Sequence, residues 1–135
     1  MSLQFSTTVR NARLDTIEST IGTSAILKIR TGSAPADCAT ADSGTVLATL
    51  SLPSDWMAAA SSGSKSKSGT WEDAIADATG TAAHFRLYAS DGTTCHLQGT
   101  VTVTGGGGDM TLDNTSIASG QQVTITSFTL TEGGA

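Results

Sequence analysis

The sequence predicts an all-β domain: a two-sheet antiparallel sandwich or jelly roll of about 7–8 strands behind one N-terminal helix. Three observations lead there. The composition leans towards Thr, Ser, Ala and Gly, with only 14% charged and 4% aromatic residues. Thr favours strands, and Ser and Gly favour the turns between them. The stretch Ala82–Thr104 reads as a hairpin, with Ala83, Phe85, Leu87 and Ala89 alternating with His84, Arg86 and Tyr88. Short apolar runs then recur along the chain, separated by turn-forming residues. At 135 residues the chain fits one domain, 1–135, large enough for a core without disulfide staples.

The elements follow in order. Residues 6–22 have helical spacing, with Ser6 or Thr7 as N-cap, Gly22 after the last turn, and an apolar stripe of Val9, Ala12 or Arg13, Ile17 and Ile21. Arg10 and Arg13 come early and Asp15 and Glu18 late, against the helix dipole, so these charges are expected to answer to something outside the helix. Ala25–Arg30 is a strand, and Thr45–Leu52 a second with Val46, Ala48, Leu50 and Leu52 inward. The loop between them, Thr31–Gly44, is longer than a hairpin needs and suits a crossing between sheets or a reach towards a partner. Ser54–Ala60 fits a helical turn or an irregular edge strand, and 61–69 has the composition of an exposed loop.

Trp71 opens a strand, and an acidic, Ala-rich stretch precedes the hairpin. Asp91 and Gly92 supply the hairpin's turn, and Cys95, Leu97 and Val101 face inward on its return strand. Gly105–Gly108 is a flexible turn and Met110–Leu112 a short strand. In 121–131, Val123 and Ile125 share a face while Phe128 and Leu130 are one residue out of phase, as a bulge at Ser127 would produce. The expected core is Leu27, Ile29, Val46, Leu50, Leu52, Phe85, Leu87, Leu97, Val101, Val123, Ile125 and Leu130.

Charge and motifs narrow the function. A net charge of −5 with seven scattered basic residues is no nucleic-acid footprint. No apolar run reaches the roughly 20 residues of a membrane span, and the first residues lack a secretion signal, which points to synthesis in a cytosol. Cys38 and Cys95 form no metal or redox motif, and that compartment favours two free thiols over a disulfide. His84 and His96 fall on the hairpin's outer face, where zinc would need Asp91 or Asp73 to complete a site; polar surface is the simpler reading. Glu72, Asp73 and Asp77, or Asp109, Asp113 and Asn114, offer oxygen ligands for calcium, but acids in turn-rich stretches are more often solvated. Trp56, Trp71 and Tyr88 fit a core or interface better than a sugar platform. No serine sits in a nucleophile elbow. No catalytic residue and no cofactor is expected.

Three segments carry a resemblance. LQFSTTVRNARLDTIESTIGTSAILKIRTGSAP contains a V-R-x-A-R-L-x-x-I helix leading into a strand that ends in Thr-Gly; DNTSIASGQQVTITSFTLTEGGA pairs I-x-S-G-Q with a V-T-I-T strand; and A-D-A-T-G-T-A-x-x-F-R-L-Y spans Ala76–Tyr88. Together they resemble small structural proteins of tailed-bacteriophage virions. The resemblance implies a non-enzymatic subunit, foremost a capsid cement or decoration protein that binds the major capsid protein and forms a homo-oligomer in the virion. A tail or fibre module that binds receptor or carbohydrate is the alternative. It carries over no site residues. The partner surface is expected around Arg10 and Arg13, which lack i,i+4 acids, and around Pro35 and Asp37 in the long loop.

Overall fold

The computed structural model describes residues 3–132, and over them the chain is mostly β with one helix. Helix α1 (Thr7–Ile21) starts where Ser6 Oγ accepts the Val9 N–H at 3.2 Å and ends where the Gly22 N–H reaches the Glu18 carbonyl. Eleven short strands follow: β1 (Ile26–Arg30), β2 (Val46–Ser51), β3 (Ser64–Ser66), β4 (Trp71–Asp73), β5 (Gly80–Thr81), β6 (His84–Tyr88), β7 (Cys95–Val103), β8 (Met110–Leu112), β9 (Ser116–Ile117), β10 (Val123–Ile125) and β11 (Thr129–Thr131).

One five-stranded sheet, ordered β2-β1-β6-β7-β8, organises the molecule; the other strands form the separate pairs β10-β4, β11-β3 and β5-β9. The expected hairpin is β6–β7, closed by Asp91 Oδ1, which accepts the N–H groups of Thr93 and Thr94 at 2.9 Å. The expectation of purely antiparallel sheets fails at β7–β8, which pair parallel with Val101 opposite Met110. A parallel neighbour must re-enter upstream of the point where the strand ended, so the chain doubles back to set Met110–Leu112 beside residues 101–103, the last of β7. The glycine run makes this possible. A Cβ on Gly106 or Gly108 would lie 2.8–2.9 Å from the Thr102 side chain, and the Gly108 N–H instead bonds Thr102 Oγ1 at 3.0 Å. What reads as a flexible turn is a packed return.

The sheet's inner face carries Leu27, Ile29, Ala48, Leu50, Phe85 and Leu87, all buried, in the register Leu27–Leu87 and Ile29–Phe85. Over it lies an aromatic chain: Phe85 meets Phe128 edge-on at 5.7 Å, Phe128 meets Trp71 at 5.7 Å, and Trp71 meets Trp56 at 6.1 Å. Each such contact adds about 0.5–1.5 kcal/mol beyond area burial. Nine of the twelve expected core residues are buried; Val46, Leu97 and Leu130 are half-buried. In β2, Leu47 on the opposite face is fully buried as well, because the 76–80 segment covers it, with the Asp77 N–H bonded to the Leu47 carbonyl.

Two expectations change in detail. The phase slip near Ser127 is a break between strands, not a bulge: Val123 and Ile125 belong to β10 on β4, and Leu130 to β11 on β3. The apolar stripe of α1 is Leu14, Ile17 and Ile21, with Val9, Ala12 and Arg13 exposed.

Candidate functional site

Two polar constructions stand out, and each ties a segment that reads as a free loop to the body of the fold. The first lies on the outer face of the sheet. There β6 presents His84, Arg86 and Tyr88, flanked by Arg30 of β1 and Gln98 of β7, and the first four are buried, His84 against the expectation of an exposed polar surface. The cover is the Thr31–Gly44 loop, which lies back on its own sheet.

Asp42 is the centre of this contact. Its Oδ1 accepts from Arg86 Nη1 and from the Tyr88 hydroxyl at 2.7 Å each, and its Oδ2 pairs with Arg30 Nη2 at 3.0 Å. Arg86 Nη2 also donates to the carbonyls of Asp37 and Thr40, and its Nε to Gln98 Oε1. Gln98 Nε2 in turn donates to the Pro35 carbonyl, and His84 Nδ1 to the Gly32 carbonyl, each at 2.7 Å. Backbone groups that a loop buries need partners, and these side chains supply them.

Burial opposes the charged form of Asp42, but the Tyr88 hydroxyl, Arg86 and Arg30 outweigh it and hold the carboxyl below its ordinary range. Burial and the Asp42 carboxylate push the Tyr88 phenol up. Burial works against the Arg86 charge, yet Asp42 outweighs it and raises the guanidinium further. The pair of free thiols, Cys38 in the loop and Cys95 on β7, sits at the same contact with Sγ atoms 3.0 Å apart.

The second construction is the docking of α1. Asn11, Asp15, Glu18 and Gly22 lie three or four residues apart and so share one side of the helix. All four accept hydrogen bonds from the 56–65 segment: Asn11 Oδ1 from the Gly63 N–H, Asp15 Oδ1 from Ala60, Glu18 Oε2 from Met57, and the Gly22 carbonyl from Trp56 Nε1. Between them Lys65 Nζ pairs with Asp15 at 2.7 Å and Glu18 at 2.9 Å while its side chain is 2% exposed. Burial alone would lower the Lys65 pKa, but the two carboxylates outweigh it and raise it. A cleft of about 510 Å³ opens beside this pair, lined by Asp15, Glu18, Thr23, Asp55, Met57 and Lys65. The 61–69 stretch is therefore not a free loop. It contains β3, whose burial depends on carboxylates some fifty residues earlier.

The expected partner residues fall as follows. Arg13 pairs with Glu132 at 2.8 Å and lies over the Phe5 ring, and Arg10 Nη1 reaches the Glu132 carbonyl, so both guanidiniums have partners at the far end of the chain. Arg13 keeps 48% of its side chain exposed. Pro35 and Asp37 turn their carbonyls to the sheet, and Asp37 Oδ1 accepts from Thr40, which holds the carboxyl below its usual range. The arginines therefore bond Glu132 while the loop residues bond the sheet, and the two pairs serve separate contacts.

The other candidate ligands are spoken for or apart. His84 is opposite Thr100, four residues and about 13 Å of strand along β7 from the exposed His96, and His84 itself is buried under the loop. Asp73 and Asp77 accept from the backbone N–H and hydroxyl of Thr49, Glu72 from Gln122, and Asp109 from Thr100. Among the described residues no cluster of three His, Cys, Asp or Glu could hold a metal ion. Trp56, Trp71 and Tyr88 are all buried and form no exposed platform. Among the described residues no helix is long and apolar enough to cross a membrane.

What sequence reading missed is a surface. Leu3, Phe5 and Val9 are exposed by 79, 38 and 42%, three of the five large apolar side chains left open to solvent among the described residues, and they come from one seven-residue stretch. The cue was an apolar residue every second position before the N-cap, where no core strand could use it. No known family, curated protein or solved structure matches this chain.

Proposed function

We propose that this chain is a non-enzymatic structural subunit of a bacteriophage virion, foremost a capsid cement or decoration protein that binds the major capsid protein as a homo-oligomer. The observation that carries the reading is the exposed Leu3, Phe5 and Val9 stretch, beside an Arg13 whose side chain is half open to solvent. Apolar residues with an arginine at the edge have the composition of an interface centre and its anchor. The β10–β4 and β11–β3 ladders, which carry or flank the aromatic chain, are read as the second layer of the sandwich that the resemblance implies. Repetition over a symmetric shell lets weak single contacts add up by avidity.

The test is fractionation of the assembled particle. The subunit is expected with empty heads, released as a discrete oligomer. Recovery with isolated tails alone would contradict the cement reading and favour the tail module.

A further inference from the structure

We infer that Cys38 and Cys95 are an intramolecular disulfide site that locks the Thr31–Gly44 loop onto the sheet. The two Sγ atoms are 3.0 Å apart, roughly 1 Å beyond the length of a disulfide bond. Both backbones are already held in place. The carbonyls of Asp37 and Thr40, on either side of Cys38, are bonded to Arg86 Nη2, and Cys95 stands opposite Tyr88 in the β6–β7 ladder. Bond formation therefore asks for side-chain rotation and little movement of the chain. The crosslink joins residues 57 apart in sequence, a span for which restricting the unfolded chain is worth a great deal.

The oxidant is a small-molecule disulfide such as oxidised glutathione. Cys38 Sγ, as thiolate, attacks one sulfur of that disulfide and releases one glutathione thiolate. Cys95 then loses its proton to solvent, attacks Cys38 Sγ and displaces the second glutathione thiolate. Two protein thiols lose two electrons and two protons in all, and one disulfide is reduced to two thiols. The order follows from the site. Burial, together with the adjoining Cys38, pushes the Cys95 thiol up to about 12, so Cys95 is the poorer first nucleophile and the resolving one.

The crosslink adds a covalent hold to a contact that otherwise depends on the charge of Asp42. The experiment starts from fully reduced protein, adds oxidised glutathione under native conditions, and follows intact mass, thiol titration and melting. The expected product is a monomer lighter by two hydrogens, with no titratable thiol and a melting temperature higher by about 10 °C. Amide exchange in 36–42 slows at least tenfold. The Cys95→Ser variant, which keeps the polar contacts of the loop, takes a single glutathione on Cys38 and shows no such slowing. A wild-type product carrying two glutathiones, a crosslink between chains, or two thiols that stay free until the protein unfolds would each overturn the inference.

Discussion

Asp42 ties the Thr31–Gly44 loop to the outer face of the sheet. It neutralises Arg86 and Arg30, whose side chains are 2 and 7% exposed, and a buried guanidinium that loses its counter-charge is costly. Asp42→Asn is expected to cost about 2–3 kcal/mol in urea unfolding, less than a fully buried pair because Asp42 itself keeps 39% of its side chain in solvent. A loss below about 0.5 kcal/mol would mean the network is incidental. The pH dependence follows in sign. Asp42 and Asp37 have folded pKa values depressed below 3.8, so the stability they contribute is fully present above that value and is lost as pH falls through the folded values. Lys65 and Tyr88 are raised above 10.5 and 10.0, so their contribution is fully present below those values and is lost as pH rises through the folded ones. Stability should therefore fall off at both ends, with Asp42→Asn removing part of the acid limb and, through Tyr88, part of the alkaline one. This residue-scale logic was half legible. The alternation His84, Arg86, Tyr88 was visible, but an outward row of polar residues reads as solvent-facing until a loop with an acid at the right place covers it.

Among the elements, β3 was the least legible. Ser64-Lys65-Ser66 lies in a Ser-, Lys- and Gly-rich run with no apolar alternation, and its burial comes from Asp15 and Glu18 on a helix far away in sequence. The reversed charge order of α1 was the available sign, but it named no partner; the structure places Lys65 against the late acids and Glu132 against Arg13, both within this chain. Gly63 sits where these elements meet, with φ +75°, and a Cβ there would lie 2.2 Å from Arg10 Nη1. Gly63→Ala is expected to cost about 1–3 kcal/mol, from left-handed strain and from displacing the guanidinium. Combined with Arg10→Ala, the two losses should sum to more than the double variant shows, by about 0.5 kcal/mol or more. Strict additivity in a double-mutant cycle would separate Arg10 from this turn. The hairpin's turn and pairing were legible because they are local, but its facing was not in full: past a register shift Cys95, expected inward, stands opposite Tyr88 and meets Cys38 of the loop on the outer face. The parallel β7–β8 pair was not legible, since four glycines signal freedom and only the folded chain shows Thr102 beneath them.

At the scale of the whole molecule, one apolar core lies under the sheet's inner face, a polar clasp closes the outer face, and the helix is docked along a line of acceptors. Leu3, Phe5 and Val9, before and within α1, stay open to solvent, and the proposed attachment rests on them. The measurement that tests this most directly is cosedimentation of purified subunit with shells that lack it, comparing wild type with Leu3→Asp/Val9→Asp. Both side chains are exposed, so the melting temperature of the free subunit should stay within about 2 °C, while shell occupancy falls at least tenfold. Undiminished occupancy at the same melting temperature would show that the shell is gripped elsewhere, and would contradict the account.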